Sequence, residues 1–172
     1  MSVIDQSIIN FAIYEDAVDL VGMADATLPD LASLTQTISG AGIAGNIEVA
    51  LLGHFDTMTL TLKFRTTTEQ SLKLTEPRLH NIDIRVAQQA EDTVAGTTIV
   101  QNVKHVMRVM PKKFAAGTIA PAALGDASGE YAVRYWAAYK DEKKIIEVDP
   151  FNFICVINGV DYLRDVRKAL GK

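Results

Sequence analysis

A strict alternation of apolar and polar residues, found in several short segments, constrains the fold more than any other feature of the chain. Between Thr57 and Arg65, every second position is apolar: Met58, Leu60, Leu62 and Phe64. Successive side chains of a β-strand point to opposite faces of the sheet, so this segment has one face for a core and one for water or a partner. His80 to Val86 alternates in the same way. Both segments are predicted to be half-buried strands.

Most of the remaining chain is also predicted to be β-structure, and Leu28-Pro29 is expected to break the chain. A turn at Asp141-Glu142 is expected to join the last two long strands. Short helices are predicted over Thr68–Thr75 and Val160–Leu170. The further strands are predicted over Ile8–Tyr14, Val18–Met23, Thr97–Met110, Tyr131–Lys140 and Lys144–Val148. The predicted fold class is therefore mainly β, in a single domain that covers residues 1–172.

Two signals compete near the C-terminus. Asn158-Gly159 between apolar residues is a strong signal for a β-hairpin. The apolar residues that follow recur at helical spacing, as Val160, Leu163, Val166 and Leu170. We therefore predict a strand, a tight turn and a helix that begins at Asn158 as its N-cap and ends before Gly171.

Residues 31–48 and 111–130 are predicted to be extended loops. The first carries Gly40, Gly42 and Gly45 without the Lys-Ser/Thr pair of a phosphate-binding loop. Each segment contains apolar residues that an isolated loop would leave in water, such as Ile43 and Phe114. Burial against another subunit and folding over the chain's own core both explain them, and long loops are often functional.

Composition excludes several classes of protein. The formal net charge is −4, whereas a general nucleic-acid binder carries an excess of basic residues, so this class is not favoured. Asp5 interrupts the first apolar residues, so no signal peptide is predicted, and no apolar run reaches transmembrane length. The lone Cys155 offers no disulfide and is compatible with a reducing compartment. The protein is expected to be made and used in soluble form.

The sequence contains no recognisable catalytic or metal-binding pattern. His54, His80 and His105 each stand without a carboxylate or thiol at ligand spacing, and Cys155 lies in an apolar run. No catalytic residue, cofactor or metal is predicted. Tyr131, Tyr135 and Tyr139 are expected on one strand face, with Trp136 on the other. A sheet core or subunit contact is the preferred interpretation; a monomeric β-barrel that binds a small ligand is the alternative.

The C-terminal segment carries a series of residues in a fixed order: Glu147, Asp149, Asn152, Asn158, Gly159, Val160, Asp161, Leu163 and Arg167, before a closing Leu170-Gly171. In these residues it resembles the major tail tube protein family of contractile-tailed phages and phage-derived bacteriocins. Leu28–Leu31 and the loop Gly40–Gly45 also match, in the same order. The hairpin turn Lys140–Lys143 lacks the Asp-Gly of the family.

The resemblance implies a β-sandwich or half-barrel domain with a flanking C-terminal helix, packed on the face away from the lumen. Six subunits would form a ring with a continuous inner β-barrel, and stacked rings would form a tube that conducts DNA or punctures an envelope. The ring or subunit interface is expected at Gly40, Ala41, Gly42, Ile43, Ala44 and Gly45. Asp83 is the candidate residue for the lumen, and Asp161 and Arg167 are expected to be helix-end and packing residues.

The implied partners are other copies of the chain and the sheath, baseplate and tail terminator proteins. DNA would be present only in transit, and no membrane anchor is expected. The implied location is the tail tube of a virion, assembled in the cytoplasm of a bacterial host. A type VI secretion-like tube subunit is a neighbouring alternative, and an enzyme is not predicted.

Overall fold

The computed structural model describes residues 2–19 and 22–172, so Leu20 and Val21 of the predicted strand Val18–Met23 lie outside the described residues. The N-terminal half contains β1 Val3–Glu15, β2 Val18–Asp19, β3 Met23–Thr27, β4 Ser33–Ile38, β5 Ile47–Phe55, β6 Thr59–Phe64 and α1 Glu69–Lys73. The C-terminal half contains β7 His80–Asp92, β8 Thr97–Ala115, β9 Ala127–Lys140, β10 Lys143–Asp149, β11 Ile154–Ile157, β12 Val160–Asp161 and α2 Arg164–Ala169. The prediction of a mainly β fold with a short C-terminal helix is confirmed.

In the described part of the chain, every strand pairing is antiparallel. The main sheet runs in the order β12-β11-β10-β9-β8-β7-β1-β2, so consecutive hairpins build most of it. Strand β9 branches: its first half pairs with β6, from Ala127↔Phe64 to Ala132↔Thr59, and its second half pairs with β10. Strand β3 continues the sheet beyond β6. This branch lets the sheet cover its own apolar face.

The core lies where the alternating pattern predicts it. Met58, Leu60, Leu62 and Phe64 are all buried, and Ile82 and Ile84 of β7 pack in the same cluster. Strand β8 adds Met107 and Val109 from its inward face. The period of two thus assigned the buried face of β6 and β7 correctly.

A β-bulge at Arg134 corrects the predicted arrangement of the aromatic residues. Val133 pairs with Val109 and Tyr135 with Arg108, so Arg134 is an extra residue in β9. A single extra residue reverses the faces of all later side chains. Tyr131 and Trp136 therefore share the buried core, whereas Tyr135 and Tyr139 lie partly exposed outside it. These four aromatic residues do not form one ligand platform.

The predicted helix over Thr68–Thr75 is confirmed as the shorter α1. The Thr68 hydroxyl accepts a hydrogen bond from the backbone N–H of Ser71 at 3.1 Å. The Ser71 hydroxyl accepts one in return from the Thr68 N–H at 2.9 Å. This reciprocal cap satisfies two amides that a helix start leaves without intrahelical partners.

The prediction that a helix begins at Asn158 is wrong, because both competing signals are used in succession. Asn158 and Gly159 have φ angles of 49° and 82°, and Ile157 pairs with Val160 across them. Positive φ at both central residues is typical of a type I′ hairpin turn. Helix α2 begins only after Leu163.

The predicted helix end at Gly171 is confirmed. Its φ is 72°, and its N–H donates to the carbonyl of Lys168 at 3.2 Å, while the N–H of Lys172 donates to the carbonyl of Arg167 at 2.9 Å. This pair of bonds is a Schellman motif.

Both predicted loops contain more strand than expected. Residues 31–48 hold β4 and the start of β5, so only residues 31–32 and 39–46 are irregular. Residues 111–130 are strand at both ends, which leaves residues 116–126 as the loop. Pro111 lies beyond the last β7–β8 pair, His80↔Val109, where β8 pairs with β9 alone and one of its edges is free for a residue without an N–H. That these segments make subunit or ring contacts remains a prediction.

Candidate assembly surfaces

A β-hairpin, here called the arm and comprising residues 33–55, projects from the sheet. Among the described residues, its strands β4 and β5 pair only with each other, from Thr35↔Ala50 to Ile38↔Ile47. Its base is attached to the domain by the Asp56 N–H, which donates to the Ala32 carbonyl at 2.8 Å. Phe55 packs against the core. The arm is thus attached to the domain at one end and exposed to solvent along most of its length.

The arm carries exposed aliphatic side chains, which add nothing to the stability of an isolated subunit. All are at least 38% exposed: Leu34, Ile38, Ile47, Val49, Leu51 and Leu52. A contiguous exposed apolar surface usually belongs to an interface. The sequence carried a signal for this exposed surface, because Ile47–Leu52 is apolar at every position except Glu48. Burial in a core explains such an apolar run equally well.

The predicted glycine interface, Gly40–Gly45, forms the tip of the arm. Gly40, Gly42 and Gly45 have φ angles of 145°, 89° and 135°, which glycine adopts without strain. The Ile43 N–H donates to the Gly40 carbonyl at 3.1 Å and closes the tip. Ile43 is half-buried, and Ala41 and Ala44 are exposed. The structure thus places these residues together at the point farthest along the arm.

Two open strand edges lie at one end of the main sheet. Within the described chain, β2 pairs with β1 only at Tyr14 and Glu15, which leaves Val3–Ile13 open on that side. On β8, pairing with β9 begins only at Val103, so Thr97–Gln101 is open on its outer side. Exposed apolar residues accompany the edges: Val3, Ile4, Ile8, Ile9 and Val100. Sequence reasoning missed them because which strand lies at an edge is a property of topology.

The C-terminal motif forms a tightly bonded corner around α2. Arg167 forms an ion pair with Asp161 and donates to the carbonyl of Phe153. The hydrogen bonds from Arg167 lower the pKa of Asp161 below its ordinary value. Phe153 lies in a turn with a positive φ of 52°, and its carbonyl accepts this hydrogen bond from the Arg167 side chain. Asp161 and Arg167 therefore act as packing residues of the corner.

Three further motif residues, Glu147, Asp149 and Asn152, stabilise the hairpin and the turn that precede this corner. Asp149 accepts hydrogen bonds from the N–H groups of Phe151 and Asn152 and from the Asn152 amide, the last at 2.6 Å. Glu147 accepts from the Tyr135 hydroxyl and from Lys144, each at 2.8 Å. Burial raises the pKa of Glu147, but these hydrogen bonds outweigh it and hold the pKa below the ordinary value.

Asp83, the candidate for the lumen, is not a free acid. Its carboxylate lies 3.1 Å from Arg85 and 3.5 Å from Lys104. Arg85 also stacks over the Tyr14 ring at 4.6 Å. This face of β7 and β8 is therefore a mixed patch of acid and base. Whether it lines a lumen remains a prediction.

His105 and Cys155 are buried in the core, where packing explains their positions. His105 accepts a hydrogen bond from the Trp136 indole at 3.3 Å, and burial lowers its pKa. Burial raises the pKa of the Cys155 thiol, which makes it a poor nucleophile. In the described chain, no three His, Cys, Asp or Glu side chains converge as metal ligands. None of the described helices has the length and apolarity needed to span a membrane.

Open sheet edges and an arm with unshielded aliphatic residues define a class of β-sheet subunit suited to association. The family model of the phage tail tube protein FII matches residues 5–171, so the chain belongs to this tail tube family. It is a structural subunit of a tail tube and thus a tail component. No curated protein is similar enough to the chain to count as a match.

A solved structure shows the same fold. It is the sheath/tube terminator of an extracellular contractile injection system, PVC, determined by cryo-EM in the extended state. The TM-score is 0.50 at 13% sequence identity, over 76% of this chain and 94% of that one. At this identity the likeness establishes the fold alone.

Proposed function

We propose that this chain polymerises into hexameric rings that stack to form the inner tube of a contractile tail. The observation that carries the proposal is the arm, whose exposed aliphatic side chains are covered by no other described element. A second copy is the partner best suited to cover it, because the family to which the chain belongs forms tubes. A tail tube contains many copies of one subunit.

The two open edges support lateral contact within a ring. The edge of β1 over Val3–Ile13 and the edge of β8 over Thr97–Gln101 lie on opposite sides of the same three-stranded end of the sheet. Pairing the first edge of one copy with the second edge of the next satisfies backbone groups on both. Such head-to-tail contacts close into a ring when the rotation permits, and they remove the edges that promote aggregation.

The arm supports axial contact between rings. Its tip, Gly40–Gly45, has no bulky side chain except Ile43, so backbone can approach backbone closely. Ile43 then enters an apolar site on the next ring, and the aliphatic residues along the arm extend the contact. Sheath, baseplate and terminator proteins are the further proposed partners.

The net charge of −4 on each subunit suits a conduit through which DNA slides without binding, because an assembly with an overall negative charge repels phosphate. In a phage the lumen would conduct DNA, and in a bacteriocin the same tube would puncture the target envelope. The proposed location is the virion tail, assembled in the cytoplasm of a bacterial host.

Electron microscopy of purified protein tests the proposal. Negatively stained wild-type protein should show rings or tubes, and sedimentation should show mass far above that of one chain. The double variant Gly42→Asp/Ile43→Asp should remain folded but fail to polymerise. The matched control Leu72→Asp/Leu79→Asp introduces the same charge at two other exposed apolar positions and should polymerise normally. Tubes of wild-type abundance from the tip variant would contradict an axial contact at the tip.

A further inference from the structure

Gly53 of β5 and Leu163, the residue before α2, are packed against each other more closely than any larger residue at position 53 would allow. A Cβ placed on Gly53 would lie 2.4 Å from the Leu163 Cδ2, 2.6 Å from its Cγ and 2.7 Å from its Cδ1. Gly53 has a φ of 66°, in the left-handed region. Leu163 is 4% exposed, so it has little space in which to move aside.

Gly53 lies where the arm leaves the domain. Thr35 pairs with Ala50, but the next pair toward the base is Ser33↔Phe55, so residues 51–54 interrupt the ladder. Phe55 beyond this irregular stretch packs on the core. A bulge of this kind bends a strand and redirects it. The direction of the arm is therefore decided within these few residues.

Hydrogen bonds of the C-terminal corner hold Leu163 in place. Its N–H donates to the Asp161 carboxylate at 3.1 Å, and Arg167 binds the same carboxylate. Arg167 also reaches the Phe153 carbonyl. The C-terminal corner thus holds Leu163 as a fixed apolar stop against the base of the arm.

We propose that Leu163, seated against Gly53, sets the angle at which the arm leaves the domain. The two are positioning residues: they touch no neighbouring ring but direct the tip toward one. The assembly consequence rests on the proposed function, whereas the angle itself is a property of the single chain. From Gly53 to Ile47 the strand extends roughly 20 Å at the usual rise per residue. A tilt of about ten degrees at the base then moves the tip by about 3 Å, enough to spoil a packed contact.

A distance measurement within the full-length chain tests this joint. Spin labels at Ser39→Cys on the arm and Lys143→Cys on the sheet, in a Cys155→Ala background, report the arm position by double electron–electron resonance. Labelled chain is diluted in excess unlabelled chain of the same variant, so that only distances within one chain are read. Gly53→Ala should shift the distance distribution, because the added methyl pushes on Leu163. Leu163→Ala should broaden it, because the stop is removed.

Two control variants separate the joint from general damage. Gly96 has a φ of 65°, and in the described structure a Cβ there meets nothing within 4 Å. Gly96→Ala therefore reproduces the backbone strain without the clash and should leave the distribution unchanged. Leu74, fully buried beside α1, gives a matched cavity in Leu74→Ala. It should also leave the arm distance unchanged.

The double variant Gly53→Ala/Leu163→Ala gives the decisive comparison. It should return the mean distance toward the wild-type value, because the space left by Leu163 accommodates the new methyl. Wild-type distributions for both single variants would overturn the proposal, as would equal broadening by Leu74→Ala. If the distances shift as expected while all variants still form normal tubes, the joint is supported and the axial role of the arm is refuted.

Discussion

Glu15 and His80 form a buried hydrogen-bonded pair that links β1 to the start of β7. Glu15 is 1% exposed and His80 is fully buried. The other ring nitrogen of His80 lies 3.0 Å from the Glu76 carbonyl, so both nitrogens of the buried ring have a polar partner. Arg78 donates to the same Glu15 carboxylate at 2.9 Å. One carboxylate thus organises the segment between α1 and β7.

Removing that carboxylate should cost more stability than any surface change. Glu15→Ala leaves the buried His80 ring without its hydrogen-bond partner, and we expect a loss of about 1–3 kcal/mol in the free energy of unfolding. Urea denaturation followed by tryptophan fluorescence of Trp136 measures it. Asp30→Ala, at an exposed acid, is the control and should change the free energy by less than ~0.5 kcal/mol.

Stability should depend on the ionisation of Glu147. Its folded-state pKa lies below the ordinary value of 4.5, so its contribution is fully present above about pH 4.5 and is lost as pH falls through the folded value. The difference in unfolding free energy between wild type and Glu147→Gln should therefore shrink as the pH falls from 6 to 3. Tyr135→Phe removes one hydrogen bond to the carboxylate and should move this loss to higher pH. A difference that is constant over this range would refute the assignment.

The hairpin turn at Asn158-Gly159 should show the residue preferences of a turn and not those of a helix cap. Asn158→Ser places a residue that tolerates left-handed backbone poorly at a φ of 49°, and we expect a loss of about 1 kcal/mol. At an N-cap, serine and asparagine are nearly equivalent. Asn158→Gly is the control and should be close to neutral. Thermal unfolding of the two variants distinguishes the turn from the cap.

The arm should contribute to assembly and not to the stability of the subunit. Leu52 is 58% exposed, so Leu52→Asp should change the free energy of unfolding by less than ~0.5 kcal/mol while reducing tube formation. Leu60 is fully buried, so Leu60→Ala should lower the free energy of unfolding by about 2–5 kcal/mol. Unfolding curves and negative-stain images of the same preparations provide both measurements. Strong destabilisation by Leu52→Asp would show that the arm packs on its own subunit.

Much of the secondary structure could be predicted because it depends on local patterns. The alternation in β6 and β7 predicted their buried faces correctly, and the short helix predicted over Thr68–Thr75 is present as α1. The C-terminal turn was mispredicted because local signals for a hairpin and a helix stood side by side, and the chain uses both. The aromatic faces were mispredicted because one bulge at Arg134 shifts the phase of β9, and a bulge leaves no mark on a single sequence.

The sequence by itself determined the class of fold, the position of most strands and the family, since periodicity, turn residues and the C-terminal motif are all local. The glycine tip was also local, and its residues stay together at the end of the arm. Only the tertiary structure decided which edges stay open, which aliphatic residues stay exposed and that Gly53 meets Leu163, 110 positions later in the numbering. These properties depend on which strands are neighbours, and strand pairing over long sequence separation is set by the packing of the whole sheet rather than by any one segment.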